Sequence, residues 1–292
     1  MKPAPFEYFA PETVDEAVAL LAEHGDEAKI LAGGQSLMPL LNMRLARPAA
    51  LVDATKVAGL DAIRETRRGL VIGAMTSKRT VERSALVRER QPLLHAATLL
   101  IAHPQIRNRG TVGGSLAHAD PAAEYPAVAV ALDAELTARG PRGERRIAAA
   151  DFFVSYLTTA LEPAELLTEV RFPTFGDGTG WACQEIARRH GDFAMAGVAV
   201  TLKRGRRGRC ADARVVLFGV GPAPVRARAA EQLLVGEAPG ETLFAEAGRS
   251  AGEAIDEPLS DVHASAEYRR HLAQVLTRRG LAEAAARAGL AP

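Results

Sequence analysis

Two pairs of adjacent glycines have the residue type and spacing to do chemistry: Gly33–Gly34 in "LAGGQSL" and Gly113–Gly114 in "RGTVGGSLAHAD". Each pair follows a predicted extended segment, leads toward a predicted helix and has a serine within two residues, Ser36 or Ser115. Backbone amides at a glycine turn can approach a pyrophosphate closely because no Cβ intervenes, and serine hydroxyls add uncharged donors. The pattern is therefore compatible with a phosphate site.

Composition keeps a second interpretation of the glycine pairs open. With 26 glycines in 292 residues, about two adjacent pairs are expected by chance. Neither stretch fits G-x-G-x-x-G or G-x-x-x-x-G-K-[ST], so an ordinary Rossmann or P-loop site is not predicted. The residues alone are equally compatible with tight turns that bind nothing.

The segments around the glycine pairs alternate between strand and helix patterns. Thr13 and Glu16 form a T-x-x-E capping box at the start of a helix, and a strand at 29–31 precedes the first glycine pair. The other predictions are helix N-caps at Ser36, at Thr76 or Ser77 and at Asp120, strands at 50–55 and 69–75, a helix at 92–102 and a hairpin at 134–147. This alternation predicts an α/β region that extends to about residue 173.

The C-terminal part has a different pattern. The stretch "RFPTFGDGTG", residues 171–180, is rich in Gly and Pro and predicts a linker. Strands at 197–202 and 213–220 are joined by the basic run "KRGRRGR" and followed by Ala-rich helical segments, which predicts a smaller α+β domain. The basic run lacks aromatic residues, so it favours a solvated hairpin tip over a nucleic-acid site.

Charge and cysteine content exclude several classes of protein. The chain has 36 basic and 35 acidic residues, so its net charge of +1 gives no reason to expect nucleic acid as a partner. Its two cysteines, Cys183 and Cys210, are too few for a cluster held by four thiolates, so electrons would need an organic cofactor. Without a signal peptide or an apolar run of about 20 residues, we expect a cytoplasmic protein that does not span a membrane.

The side chains that could ligate a metal or transfer a proton form weak patterns. His118 and Asp120 form an H-x-D with His103 as a third candidate ligand, but nothing suitable completes the set, so no metal is predicted. His190 in "RRHGDF" is a weak candidate for a general base, and an exposed turn is the favoured interpretation. We assign no catalytic residue.

An ordered set of longer motifs spans most of the chain: "LAGGQSLMPLLNMRLARP", "GAMTSKRTVERS", "HPQIRNRGTVGGSLAHADPAAEYPAVAVAL", "ELLTEVRFP" and "ARRHGDFAMAGVAV". This set resembles the FAD-binding medium subunits of the molybdenum hydroxylases, the family of carbon monoxide dehydrogenase and xanthine dehydrogenase. The resemblance implies an α+β fold. A vanillyl-alcohol-oxidase-type FAD-binding domain at 1–175 would consist of two α/β subdomains, about 1–57 and 58–175, and a C-terminal α+β domain at 176–292 would pair an antiparallel sheet with helices.

The resemblance also implies which residues hold FAD. The first pyrophosphate loop matches Ala32, Gly33, Gly34, Gln35 and Ser36, and the second matches Thr111, Val112, Gly113, Gly114 and Ser115. Asp120, Glu124 and Leu167 would lie near the flavin or its ribityl and adenosine parts, Ile101 and Ala102 would pass close to the cofactor, and the loop with Phe193 would approach the isoalloxazine. The chain departs from the family at Gln35, where many relatives have His, and at Gln184–Glu185, where a Lys is common near the flavin ring.

The function implied by the resemblance is electron transfer within a larger oxidoreductase. A large partner subunit would carry the molybdenum cofactor, a small one would carry two [2Fe–2S] clusters, and the FAD of this chain would pass their electrons to an external acceptor. A dimer of such heterotrimers is expected. Two alternatives stay open: a stand-alone flavin oxidoreductase, and a non-catalytic FAD-fold assembly protein.

Overall fold

The N-terminal part is built on three parallel strands in the order β1–β3–β2, in a computed structural model that describes residues 1–290. The predicted capping box begins its first helix, since Thr13 Oγ1 accepts from the Glu16 amide at 3.2 Å and the Glu16 carboxylate accepts from the Thr13 amide at 3.3 Å. The first glycine pair lies between β2 and α2. The elements are β1 (Glu7–Phe9), α1 (Val14–His24), β2 (Ala28–Leu31), α2 (Leu37–Asn42) and β3 (Ala50–Asp53).

The middle part carries a five-stranded antiparallel sheet in the order β4–β5–β10–β6–β7. The second glycine pair lies in the first turn of α7, and α8 is buried along its whole length. The elements are β4 (Ile63–Thr66), β5 (Gly69–Gly73), α3 (Lys78–Arg83), α4 (Ala85–Arg90), α5 (Pro92–Leu100), α6 (Pro104–Arg109), α7 (Val112–His118), α8 (Glu124–Ala131), β6 (Glu135–Gly140), β7 (Gly143–Ala148), α9 (Ala149–Phe152), β8 (Phe153–Ser155), β9 (Thr158–Thr159) and β10 (Leu166–Phe172).

The C-terminal part pairs a four-stranded antiparallel sheet, β11–β12–β13–β14, with three helices. Helix α12 packs on β11 and β12, and α11 packs on α12. Helix α8 contacts β12 and β13, so Leu116, Tyr125 and Phe218 share one core between the middle and third sheets. The elements are β11 (Thr179–Ile186), β12 (Ala196–Arg204), β13 (Cys210–Phe218), β14 (Val225–Arg226), α10 (Arg228–Leu234), α11 (Glu241–Glu253) and α12 (Ala266–Arg287).

The structure confirms the predicted α+β fold and corrects two helix starts. Asp120 is not an N-cap: its Oδ1 accepts from the Ala122 amide at 2.9 Å in a turn, and α8 begins only at Glu124. Ser36 precedes α2, but its side chain makes no capping hydrogen bond. Among residues 1–290, no helix combines the length and apolar character needed to cross a membrane.

Candidate functional site

The two glycine segments lie against each other. A Cβ on Gly33 would be 2.2 Å from the carbonyl oxygen of Arg109 and 2.7 Å from the Cα of Gly110, and a Cβ on Gly114 would be 3.4 Å from that of Ala32. Only glycine permits the first of these approaches, because real Cβ atoms do not come that close to backbone. Segments about eighty residues apart in the chain thus form one continuous surface.

The first segment, 32–36, offers free backbone donors. Gly34 has φ +70°, in the left-handed region that favours glycine, and the Gln35 amide side chain donates to the Gly33 carbonyl at 3.0 Å. Within residues 1–290, no acceptor is in hydrogen-bonding position for the backbone amides of Gly33, Gly34, Gln35 or Ser36. Since folded chains rarely leave such groups unpaired away from water, this cradle is suited to an anion or to solvent.

The second segment, 111–115, is organised differently. Thr111 is the N-cap of α7, and its Oγ1 accepts from the Gly114 amide at 3.0 Å. The amides of Val112, Gly113 and Ser115 donate to the carbonyls of Thr76, Ala74 and Thr111 at 2.9, 2.8 and 3.2 Å. The prediction of a second glycine turn is therefore wrong, because the pair lies in the first turn of a helix. Gly113 also packs closely, since a Cβ there would lie 2.4 Å from that of Ala74.

A sharp bend at Ile101–Ala102 separates α5 from α6. Ala102 has φ +44°, which is unusual for a residue with a Cβ. The buried Arg107 braces the bend, since its Nη1 donates to the carbonyls of Ile101 and Ala102 at 2.8 and 3.1 Å, and its Nε donates to Glu82 at 3.0 Å. Hydrogen bonds from Arg107 thus fix the backbone of the bend.

The loop 188–193 closes on this bend from the C-terminal part. A Cβ on Gly191 would lie 2.5 Å from the ring of His103, and the rings of His103 and His190 stack with centroids 6.5 Å apart. A cavity of about 320 Å³ is lined by Leu100, Glu185, Ile186, Ala187, Arg189, His190 and Gly191. Phe193, 71% exposed, leaves a large apolar ring uncovered on the same loop.

Buried charges collect around the start of α8. Burial raises the pKa of Glu124 to about 7 and that of Glu185 to about 8. It lowers the pKa of Lys78, whose ammonium lies 5.5 Å from the centroid of the Tyr125 ring, and that of His118. Glu185 Oε2 is buried and has no hydrogen-bond partner in the described chain. Glu124 and Glu185 can therefore hold or release protons near neutral pH.

The other predicted site residues connect these regions. Leu167 is buried in β10, where the neighbouring Thr168 accepts from the Ala74 amide at 2.8 Å, and Ala74 in turn accepts from Gly113. Asp120 lies in the turn between α7 and α8, and Pro121 in that turn accepts from the Gly219 amide at 2.7 Å. Leu167 therefore lies in the strand next to the second glycine segment, and the turn that contains Asp120 is hydrogen-bonded to the residue that follows β13.

Sequence reasoning missed two residues of this region, Lys78 and Arg107. Lys78 follows the N-cap Ser77 in "MTSKRT", and Arg107 is one of two arginines in "QIRNRG". Local sequence does not distinguish either from its exposed neighbours, because the burial of each depends on helices that arrive from elsewhere in the chain.

Two family models match the chain and decide its family. "FAD binding domain in molybdopterin dehydrogenase" matches residues 4–175, and "CO dehydrogenase flavoprotein C-terminal domain" matches residues 181–284. The chain belongs to the FAD-binding medium subunits of the molybdenum hydroxylases. The resemblance seen in the sequence is confirmed, and with it FAD as the cofactor of this domain.

Relatives match this medium subunit over nearly its full length. The 6-hydroxypseudooxynicotine dehydrogenase complex subunit alpha of Paenarthrobacter nicotinovorans is 43% identical over 99% of this chain and 97% of its own. The caffeine dehydrogenase subunit beta of Pseudomonas sp. (strain CBB1) is 43% identical over 98% and 97%. A structure of carbon monoxide dehydrogenase from Hydrogenophaga pseudoflava, which lacks the Mo-pyranopterin moiety, superposes with a TM-score of 0.95 at 43% identity, covering 98% of this chain and 99% of that one.

The residues of this medium subunit fit FAD. The free amides of 33–36 can donate to phosphate oxygens, and the lack of a Cβ on Gly33 lets the Arg109–Gly110 backbone pack beside them. The cavity beside the bend combines apolar groups, such as Leu100 and Ile186, with a few polar ones, as ligand pockets commonly do.

Proposed function

We propose that the two glycine segments hold the pyrophosphate of one FAD between them. Residues 32–36 would donate backbone hydrogen bonds, with the Ser36 hydroxyl beside them. Residues 111–115 would form the opposite wall through the packed start of α7 and the Ser115 hydroxyl. The contact between Gly33 and the Arg109–Gly110 backbone supports this placement, since it brings both segments to one surface.

The isoalloxazine would then lie toward the cleft between the middle and third sheets. Ile101, Ala102 and Leu167 would supply apolar contacts, and Asp120 and Glu124 would supply polar ones. Bound flavin accepts electrons singly and can release them as a pair. The task of the chain is to hold the ring rigidly in a dry cleft, and the bend braced by Arg107 suits that task.

We infer that the whole subunit transfers electrons from iron–sulfur clusters in a small partner to an external acceptor, while a large partner with the molybdenum cofactor oxidises the substrate. Both cysteines of this chain are free, and burial raises the pKa of each, so neither is prepared to ligate a cluster. A cytoplasmic dimer of heterotrimers is the expected assembly.

Reconstitution of the complex tests this function. The chain is co-expressed with the two partner subunits, and FAD is then removed from the purified complex. Without FAD, substrate should still reduce the clusters, as seen by electron paramagnetic resonance, but no external acceptor should be reduced until FAD is restored. Acceptor reduction by the flavin-free complex, or a flavin-loaded chain that never joins the partners, would contradict the proposal.

A further inference from the structure

Lys78 is a half-buried cation beside the second glycine segment. Its side chain runs along Gly110, since a Cβ there would lie 3.5 Å from Lys78 Cδ, and its ammonium lies over the Tyr125 ring. Burial lowers its pKa, as expected for an ammonium removed from water. A charge in this position needs a partner or an exit to solvent.

The described part of the chain does not supply that partner. Within residues 1–290, no carboxylate oxygen lies within 4 Å of Lys78 Nζ, and the ammonium donates no hydrogen bond. Glu124 is the carboxyl that acts on Lys78, but its own pKa of about 7 leaves it only partly ionised at neutral pH. Lys78 also acts on His118, whose other charged neighbour is Asp120. By contrast, Arg79 and Arg107 both pair with Glu82.

Lys78 and the first glycine segment both contact Gly110. The Lys78 backbone amide donates to the Gly110 carbonyl at 2.8 Å, and Gly33 packs on the Cα of Gly110. The Lys78 side chain and the segment with the free amides of 33–36 therefore both pack against Gly110. Amides supply only partial charges, so a bound pyrophosphate would leave net negative charge that a cation can neutralise.

We propose that the Lys78 ammonium contacts the pyrophosphate of FAD and provides the positive charge of that subsite. This assignment rests on the proposed placement of the pyrophosphate between segments 32–36 and 111–115. It explains why a lysine at this buried position has no partner among the described residues: its partner is the cofactor.

The test compares Lys78→Met with Lys56→Met, an exposed lysine, in the flavin-free full-length chain. Dissociation constants are measured for FAD, for ADP, which keeps the pyrophosphate, and for riboflavin, which has none. Lys78→Met should weaken FAD and ADP binding by the same factor, about tenfold or more, and leave riboflavin binding unchanged. Lys56→Met should change none of them, and Lys78→Arg should retain most of the affinity.

Three results would overturn the assignment. The first is unchanged ADP and FAD affinity in a folded Lys78→Met chain. The second is unchanged ADP affinity with a shifted flavin reduction potential, which would place the ammonium at the ring. The third, if Lys78→Met does not fold, is Lys78→Gln with wild-type ADP affinity. Failure of the underlying placement would look different, since Gly33→Ala, which should separate the two glycine segments, would then leave the affinity for FAD and ADP at the wild-type value.

Discussion

Arg107 and Glu185 show how burial determines what a charged residue does in this molecule. Arg107 uses its whole guanidinium fork, with two backbone carbonyls on one side and the Glu82 carboxylate on the other. Glu185 has the opposite situation, because one of its carboxyl oxygens is buried without a partner. A paired buried charge stabilises a particular geometry, whereas an unpaired carboxyl stays protonated or takes a ligand.

Replacing Arg107 with Met should lower the free energy of unfolding by about 2–4 kcal/mol, because two buried carbonyls lose their donor and Glu82 keeps only Arg79 as a partner. Urea unfolding measures the loss. Arg142→Met is the matched control, since Arg142 pairs with Glu162 but is 83% exposed, and it should cost less than about 1 kcal/mol. Equal effects of the two substitutions would contradict the bracing role of Arg107.

The raised pKa of Glu185 predicts that the stability of the folded chain depends on pH. Its pKa is about 8 in the folded chain and should return to about 4.5 on unfolding, so between these values the folded chain binds protons that the unfolded chain has lost. Stability contributed by this group is complete below pH 4.5 and falls as the pH rises toward 8. Glu185→Gln should therefore show a smaller loss of stability than wild type between pH 5 and pH 8 in urea unfolding. The exposed Glu89→Gln should follow wild type, and superimposable profiles for Glu185→Gln and wild type would contradict the shift.

At the scale of the elements, local sequence patterns predicted the strands better than the helix starts around α7. The sequence predicted strands and hairpins correctly, for example the hairpin of β6 and β7. Alternation of apolar and polar residues and the choice of turn residues are local features of the sequence. The start of α8 was wrong because Asp120 closes a turn on Ala122, a choice that depends on where α7 ends. The free amides of 33–36 were predictable from the glycines. The hydrogen bonds of the amides at 112 and 113 were not, because their acceptors, Thr76 and Ala74, lie in the segment that follows β5.

Two N-cap threonines allow the effect of α7 on FAD binding to be measured separately from its effect on the stability of the chain. Thr111→Ala and Thr13→Ala each remove a side-chain acceptor from a helix start, so each should cost about 1 kcal/mol in unfolding free energy. Only Thr111→Ala should also weaken FAD binding, because only α7 borders the proposed pyrophosphate site. Flavin fluorescence titration measures the difference, and equal FAD affinity in both variants would remove the start of α7 from the site.

The tip of the β12–β13 hairpin is expected to play no part in FAD binding. Arg206 and Arg207 are exposed at this tip, far along the sheet from the cleft residues at the other end of β11 and β12. Arg206→Ala combined with Arg207→Ala should leave the FAD content and the thermal unfolding midpoint of the chain unchanged. Loss of flavin from this double variant would show that the tip serves the cofactor site.

At the scale of the whole molecule, the site is assembled from segments that no local pattern joins. The first glycine segment comes from the parallel sheet, the second from α7 above the antiparallel sheet, and the loop 188–193 from the third sheet. Helix α8 contacts β12 and β13 of the C-terminal sheet, and its buried residues share one hydrophobic core with those of the middle sheet. Recognition of the family motifs predicted these residues as a set, whereas their contacts became visible only in three dimensions.

The most direct test of the account is FAD binding by Gly33→Ala against Gly240→Ala. A Cβ on Gly33 would collide with the Arg109 carbonyl, whereas a Cβ on Gly240 meets nothing within 4 Å and its backbone is extended. The dissociation constant of each flavin-free chain for FAD is measured, with circular dichroism to confirm folding. Gly33→Ala should weaken FAD binding by about tenfold or more through separation of the two segments, and Gly240→Ala should match wild type. Wild-type affinity in a folded Gly33→Ala chain would contradict a pyrophosphate site formed jointly by the two glycine segments.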